Sequence, residues 1–316
     1  MKRRLKRHQW LEVLLDKTEP ACVIGMEACA SAHHWGRELQ SRGYTVRLIP
    51  PQFVKPYVKS NKNDARDAEA ICEAMSRPNM RFVTVKTVEQ QDIQATHRVR
   101  EDLKVRRTAK GNQIRGLAAE YGLVAPKSLS SLRAAIPGWL EDAENGLTHY
   151  FRSLLQGLWE DLLILDDRMC EMDKTIKRLA KENEDCVRLE QIRGIGPKIS
   201  TAMIATVGDA RQYHKSRQMA AAIGITPRQH SSGDKHRLLG ISKRGDVYLR
   251  TLMIHGARSA VAAAKHKDDP LSRWVNGIAN RSHPNVAAVA LANKNARMAW
   301  AMLRNKTDYD PDFAVR

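Results

Sequence analysis

Leu147, Phe151, Leu154, Leu158, Leu162, Leu165, Met169, Met172, Ile176 and Leu179 follow one another at intervals of four and three, with one additional four between Leu158 and Leu162. A stripe of mean spacing near 3.5, kept up for more than thirty positions, is the seam of a long helix. The additional four is a stutter. Such a stripe can pack within its own domain, but its length on a charged helix favours a helical hairpin or a contact with a second copy of the chain.

The stripe also divides the chain by charge. Net charge is +9 over residues 1–122, −4 over 123–186, +15 over 187–306 and −2 over 307–316, giving +18 over 316 residues. Two basic blocks around an acidic one predict a polyanionic partner held from both sides, and we read the four segments as an N-terminal domain, a helical coiled-coil linker, a C-terminal domain and a tail. No apolar run approaches the ~20 residues that a bilayer needs; Val286–Ala292 is typical. Met1–His8 is basic with no apolar region after it, so no signal peptide is read, no membrane is expected, and the expected compartment is the cytoplasm. Cys22, Cys29, Cys72, Cys170 and Cys186 show no CxxC spacing, which predicts buried thiols in a reducing compartment.

In the first block, Ala21–Met26 and Tyr44–Ile49 are apolar runs of strand length flanking the amphipathic stretch Ala32–Arg42. Together they predict a βαβ unit. Pro50-Pro51 ends the second strand, Ser60-Asn61 offers a helix cap, and a helix is expected to carry Asp64 and Asp67 on to Ala74. A further strand is expected at Arg81–Val85 and a long polar helix from Val88 to about Tyr121. The two aspartates are three apart, so both carboxylates leave one helix face. With Glu27 closing the first strand, they suggest divalent metal held against phosphate in a nuclease-type site. Ordinary surface salt bridges are the plainer reading of the same spacing.

The third block opens with Arg193-Gly194-Ile195-Gly196-Pro197-Lys198 between two apolar helical stretches. Pro197 and Lys198 stand in a first helical turn whose unpaired N–H groups can face a phosphate, the form of a helix-hairpin-helix that grips a DNA backbone. A simple helix corner is the alternative. Further on, Ser231-Ser232-Gly233 lies among Arg228, His230, Lys235, His236 and Arg237, followed by Lys243-Arg244-Gly245-Asp246. A hydroxyl on a permissive backbone among cations suits attack on phosphate, although Ser-Ser-Gly alone is a turn. Lys198, Arg228, Lys243, Arg244 and Arg250 are the cations expected to hold a nucleic-acid backbone. Tyr121, Tyr150, Trp274 and Trp300 are expected in cores, and His33, His34, His97 and His255 as ordinary surface or core residues.

Ile24–Cys29, Pro51–Ala70, Asn112–Leu117, Arg193–Pro197, Pro227–Gly233, Leu239–Asp246 and Asn285–Arg297 together resemble, in order and through nearly the whole chain, the DEDD-type insertion-sequence transposases related to the Piv DNA invertase: the insertion sequence one-hundred-ten family, eleven-eleven subgroup. The resemblance implies an α/β plus all-α fold: a RuvC-like ribonuclease-H-fold domain with an acidic tetrad binding Mg²⁺, coiled-coil helices, and a helical C-terminal transposase domain with a helix-hairpin-helix and a nucleophilic serine. It implies sites composite between protomers of a homodimer or homotetramer, DNA partners at the element ends and target, and a structured noncoding RNA as guide. By position, Glu27, Asp64 and Asp67 match the second, third and fourth acids and the metal ligands. Ser232 matches the serine, with Ser231 next; Gly194, Gly196, Lys198, Arg228, Lys243 and Arg244 are the expected DNA-binding residues.

One departure bears on activity. The family pattern begins with an apolar strand bearing the first aspartate, and this sequence starts near the third strand, at Met1–Arg7. Asp16 ends an amphipathic stretch and is no substitute. The expectation is a truncated reading of a transposase gene whose enzymatic status is open, with a junction-resolving nuclease or a binding protein without catalysis as the alternatives.

Overall fold

The N-terminal apolar runs become strands because a parallel pair needs a crossover and the sequence between them supplies one. The structure, a computed structural model, describes residues 5–6, 9–58 and 63–311. It separates into two compact units, Met1–Gln91 and Asp92–Arg316.

In the first unit, α1 (Gln9–Lys17) precedes β1 (Val23–Glu27), α2 (Ala32–Gln40) and β2 (Thr45–Ile49). The strands pair in parallel from Val23 opposite Thr45 to Glu27 opposite Ile49. Ala32, Gly36 and Leu39 form the buried stripe of α2, and Trp10 of α1 meets Trp35 edge-on at 4.5 Å. Pro51 opens the short α3 (Pro51–Val54), where its missing N–H costs nothing. Helix α4 (Asp64–Met75) then buries Ala70 and Ala74 with Ile49 and Val54. The expected cap at Ser60-Asn61 lies outside the described residues, as does the stretch Met1–Arg7 apart from residues 5 and 6. The cap is Asn63, whose side chain accepts from the Ala65 N–H.

Arg81–Val85 is not a strand. It meets β2 at a single antiparallel bridge, Val83 to Leu48, because its side chains serve different neighbours: Phe82 joins the α4 core, while Val85 fills the space beside Gly36 of α2.

Helix α5 (Val88–Ala119) leads into the second unit, followed by α6 (Leu129–Glu141) and α7 (His149–Glu182). Arg100, Arg107 and Lys110 of α5 bind Asp173, Asp166 and Asp161 of α7. Partner numbers fall as α5 numbers rise, so the two helices run antiparallel. The acidic middle block thus serves to bind the basic helix before it. Helix α6 covers one side of this hairpin, with Leu132 and Ile136 packed among Ile114, Leu155 and Leu162.

The seam on α7 differs from the expected one at one residue. Leu155 is fully buried, whereas Leu154 is 46% exposed. Through Leu155, Leu158, Leu162, Leu165, Met169, Met172, Ile176 and Leu179 the threes and fours alternate without a break, so the stutter at Leu158 to Leu162 disappears.

The rest is a helical body: α8 (Glu184–Glu190), α9 (Pro197–Val207), α10 (Ser216–Ile223), α11 (Val247–Ala264), α12 (Pro270–Arg281) and α13 (Pro284–Asn305) share one core around Met203, Ile223, Leu249, Met253 and Leu291. Between α10 and α11 a hairpin of β3 (Pro227–Ser232) and β4 (Lys235–Ile241) is the second two-stranded sheet. The protein is therefore mostly helical with small sheets. No described helix is long and apolar enough to cross a membrane. The cysteines depart from expectation: Cys186 is buried, but Cys22, Cys29, Cys72 and Cys170 are exposed free thiols.

Candidate active site and nucleic-acid interface

Glu27 is the last residue of β1, half-buried at the carboxyl end of the parallel pair, where open α/β sheets place ligand groups. Helix α4 packs close to this strand because Gly25 has no Cβ; one built there would collide with the Met75 sulfur. Asp64 is exposed and Asp67 half-buried in the first turn of α4, a position the helix dipole favours for carboxylates whatever their function. Among the described residues, no three His, Cys, Asp or Glu side chains gather as a metal site would require. The three acids share a unit without forming a closed ligand cluster.

Ser231 and Ser232 end β3 in the second unit. Ser232 pairs with Lys235, Ser231 with His236, His230 with Arg237 and Gln229 with Leu238. The two residues between Ser232 and Lys235 are Gly233, at φ 56°, and Asp234, whose φ is not positive, the pattern of a Gly-X type II′ turn. That turn fixes the register, and register sorts the side chains. Ser232, His230, Lys235 and Arg237 share one face; Ser231, Gln229, His236 and Leu238 share the other. Ser231 accepts from the Gln229 amide at 3.0 Å and lies 3.4 Å from His236 Nδ1. Every residue from Pro227 to Ser232, and from Lys235 to Gly240, is exposed. A lone hairpin in water is marginal, so both faces are open to a partner.

The base of the hairpin is fixed firmly. Arg250 is buried and donates to the carbonyls of Ile223 and Arg244. Expected to hold nucleic acid, it instead ties α10 to the loop after β4, since a guanidinium bound to two inward carbonyls is not presented to solvent. Arg228, Lys243 and Arg244 are exposed, with Lys243 in the left-handed region at φ 55°.

Gly194 lies in the turn between α8 and α9 at φ 91°, and a Cβ there would sit 2.9 Å from the Gly256 carbonyl of α11. Gly196 caps α9 with Pro197 in its first turn. Lys198 is bound to Asp173 at 2.9 Å, the same carboxylate that takes Arg100. Burial raises the Asp173 pKa, but hydrogen bonds from Arg100 and Lys198 outweigh this and hold it below the usual carboxylate range.

A buried polar link beside this turn is not legible in the sequence. His97 of α5 is 3% exposed, with Nδ1 2.9 Å from the Tyr248 hydroxyl and Nε2 2.9 Å from Thr201 Oγ1. Thr201 gives its only hydroxyl proton to the Pro197 carbonyl at 2.5 Å. Nε2 must therefore donate to Thr201, leaving Nδ1 to accept from Tyr248. Burial, with the charges of Arg100 and Lys198 adding to it, lowers the His97 pKa to about 4. Burial pushes the Tyr248 phenol up to about 12. The only sequence signal was that His97 falls four residues after Ile93 and three before Arg100, on the buried face of α5. Among the aromatics, Trp300 donates to the Tyr213 carbonyl, but Tyr121, although it stacks on Phe151, is exposed, and Tyr150 is 75% exposed rather than in a core.

Comparison with known proteins bears on both units. Residues 186–271 match a family model described as "Transposase IS116/IS110/IS902 family". Residues 3–122 match a DEDD-type IS110 model described as "Transposase". The chain is 48% identical over 311 residues to a "Probable family 20 transposase" of Pseudomonas aeruginosa, covering 98% of this chain and 91% of that protein. It is 47% identical to the "Transposase for insertion sequence element IS1111A" of Coxiella burnetii, covering 97% and 84%. Against the "Transposase for insertion sequence element IS1328" of Yersinia enterocolitica the identity is 40%, covering 97% and 90%.

Proposed function

Because the chain belongs to the IS116/IS110/IS902 transposase family, we propose that it breaks and rejoins DNA at the ends of an insertion sequence and at its target, with Ser232 as nucleophile. The observation that carries this is the sorting of the hairpin faces. Ser232 stands at the tip beside Gly233 and shares its face with His230 and with Lys235 and Arg237, two cations suited to a phosphate whose charge builds during attack. Ser231 points with Gln229 and Leu238 to the less charged face.

In this reading Ser232 Oγ attacks the scissile phosphorus. The Oγ–P bond forms as one P–O bond of the strand breaks, the serine proton is released, and the displaced strand oxygen leaves as a hydroxyl. The ester is conserved, so attack by a second strand's hydroxyl reverses the step without external energy. Arg228, Lys243, Arg244 and Lys198, with the turn at Gly194 and Gly196 acting as a helix-hairpin-helix, hold the backbone. To do so Lys198 exchanges Asp173 for phosphate.

Glu27, Asp64 and Asp67, on a unit we read as RuvC-like, are the oxygens that would hold a divalent ion such as Mg²⁺, which accepts carboxylates and keeps its waters. Among the described residues they do not form a closed site. We further propose that a homodimer or homotetramer supplies acids and serine from different protomers, and that a structured RNA guides the choice of DNA. Nucleic-acid binding without strand chemistry is the second reading, favoured by the ungathered acids.

A protein–DNA adduct surviving denaturation, formed by the wild type and by Ser231→Ala but lost in Ser232→Ala, is the expected result. An adduct that persists in Ser232→Ala rejects this serine, and strand retention with no adduct or cleavage in any variant supports the second reading.

A further inference from the structure

Helices α5 and α9 and the start of α11 line an open cavity of about 470 Å³ that the proposed strand chemistry does not use. Its size is that of a small-ligand pocket. Val105, Ala202 and Ala205 give it apolar walls, and Gln94, Thr206 and Asp246 give it hydrogen-bonding groups.

Charge argues against phosphate as the occupant. Of the three carboxylates that line the cavity, Glu101 and Asp102 are paired with Lys104 and Arg106 at 2.8 Å each, which leaves Asp246 to balance the one lining guanidinium, Arg98, with no cation in excess. His97 adds no charge, because both ring nitrogens are engaged and its ring is neutral. The Tyr248 hydroxyl is given to His97, so this residue offers the cavity its ring rather than a donor. Asp246 takes the Leu249 N–H with one oxygen, and its other oxygen lies 3.5 Å from the Thr206 hydroxyl with lone pairs to spare. The lining offers an aromatic ring, a guanidinium and carboxylate and amide oxygens, the kinds of group that stack on a flat body and accept from its amino hydrogens.

Asp246 follows the end of β4 at Ile241 by five residues, which places the cavity near the base of the exposed basic hairpin in the chain. We propose that it receives one amino-bearing nucleobase, cytosine, adenine or guanine, unstacked from a strand bound at that hairpin. The proposal rests on the reading of the hairpin as a nucleic-acid interface and adds a base-selective site to it.

The test uses the full chain and a single-stranded oligonucleotide carrying one 5-iodocytosine, against a matched strand carrying 5-iodouracil. Photocrosslinks are expected at the peptide bearing Tyr248, with the iodocytosine strand favoured by about fivefold or more. Val105→Trp fills the cavity from a residue that is 60% exposed, so the fold tolerates it; it should abolish that crosslink while strand affinity changes little. Asp246→Asn keeps the helix cap and should erase the cytosine preference. Equal yields from the two strands, or crosslinks confined to hairpin peptides at wild-type affinity, would overturn the proposal and leave the hairpin reading intact. Failure of any strand to bind at low salt would overturn both.

Discussion

His97 was legible as a core residue and illegible as a link, since its partners lie 104 and 151 positions away and nothing local announces them. The link has a pH consequence whose sign is fixed. An unfolded imidazole takes a proton near 6.5, while the folded one, buried and facing Arg100 and Lys198, resists until about 4. Between those values the unfolded state holds more protons, so stability falls as pH is lowered through that window. The loss attributable to His97 is on the order of 3 kcal/mol across the whole window, and about 2 kcal/mol of it falls above pH 5. Urea unfolding at pH 7.5, 6 and 5 should show it, and His97→Gln, which can still donate and accept, should have a flatter profile once the acid loss common to both proteins is subtracted. Parallel profiles would mean that the imidazole is not the titrating group.

At the scale of elements, periodicity located the strands and long helices because burial on one face is a local pattern. It failed where neighbours decide. Leu154 and Leu155 are adjacent leucines, and only the placement of α5 and α6 shows that the second one is in the seam. Arg81–Val85 looked like a strand, but its side chains are shared between α2 and α4. The two serines were likewise inseparable until the Gly233 turn set the register. The seam gives a direct test. Leu162→Ala removes a fully buried side chain between the arms of the hairpin and should cost about 3 kcal/mol, whereas Leu154→Ala should cost under about 0.5 kcal/mol. Denaturant midpoints at constant slope would measure both, and equal losses would restore the seam through Leu154.

At the scale of the whole molecule, net charge was legible as affinity for a polyanion, but not which cations are available for it. Arg100, Arg107 and Lys110 are bound to the acids of α7, and Arg250 is buried at the hairpin base. Arg228, Lys235 and Arg237 stand exposed on the hairpin, so they should carry a large share of the backbone contacts in the +15 block. Each phosphate neutralised adds about 0.9 to the slope of log affinity against log salt on duplex DNA. Replacing these three residues by alanine should therefore lower that slope by about 2 to 3 and weaken binding similarly on unrelated sequences, because backbone contacts position without reading bases. Replacing Arg100, Arg107 and Lys110 should reduce stability and leave the slope of the folded fraction unchanged. Filter binding across a salt series separates the two sets, and a slope that follows the α5 cations instead of the hairpin would place the interface elsewhere on this unit.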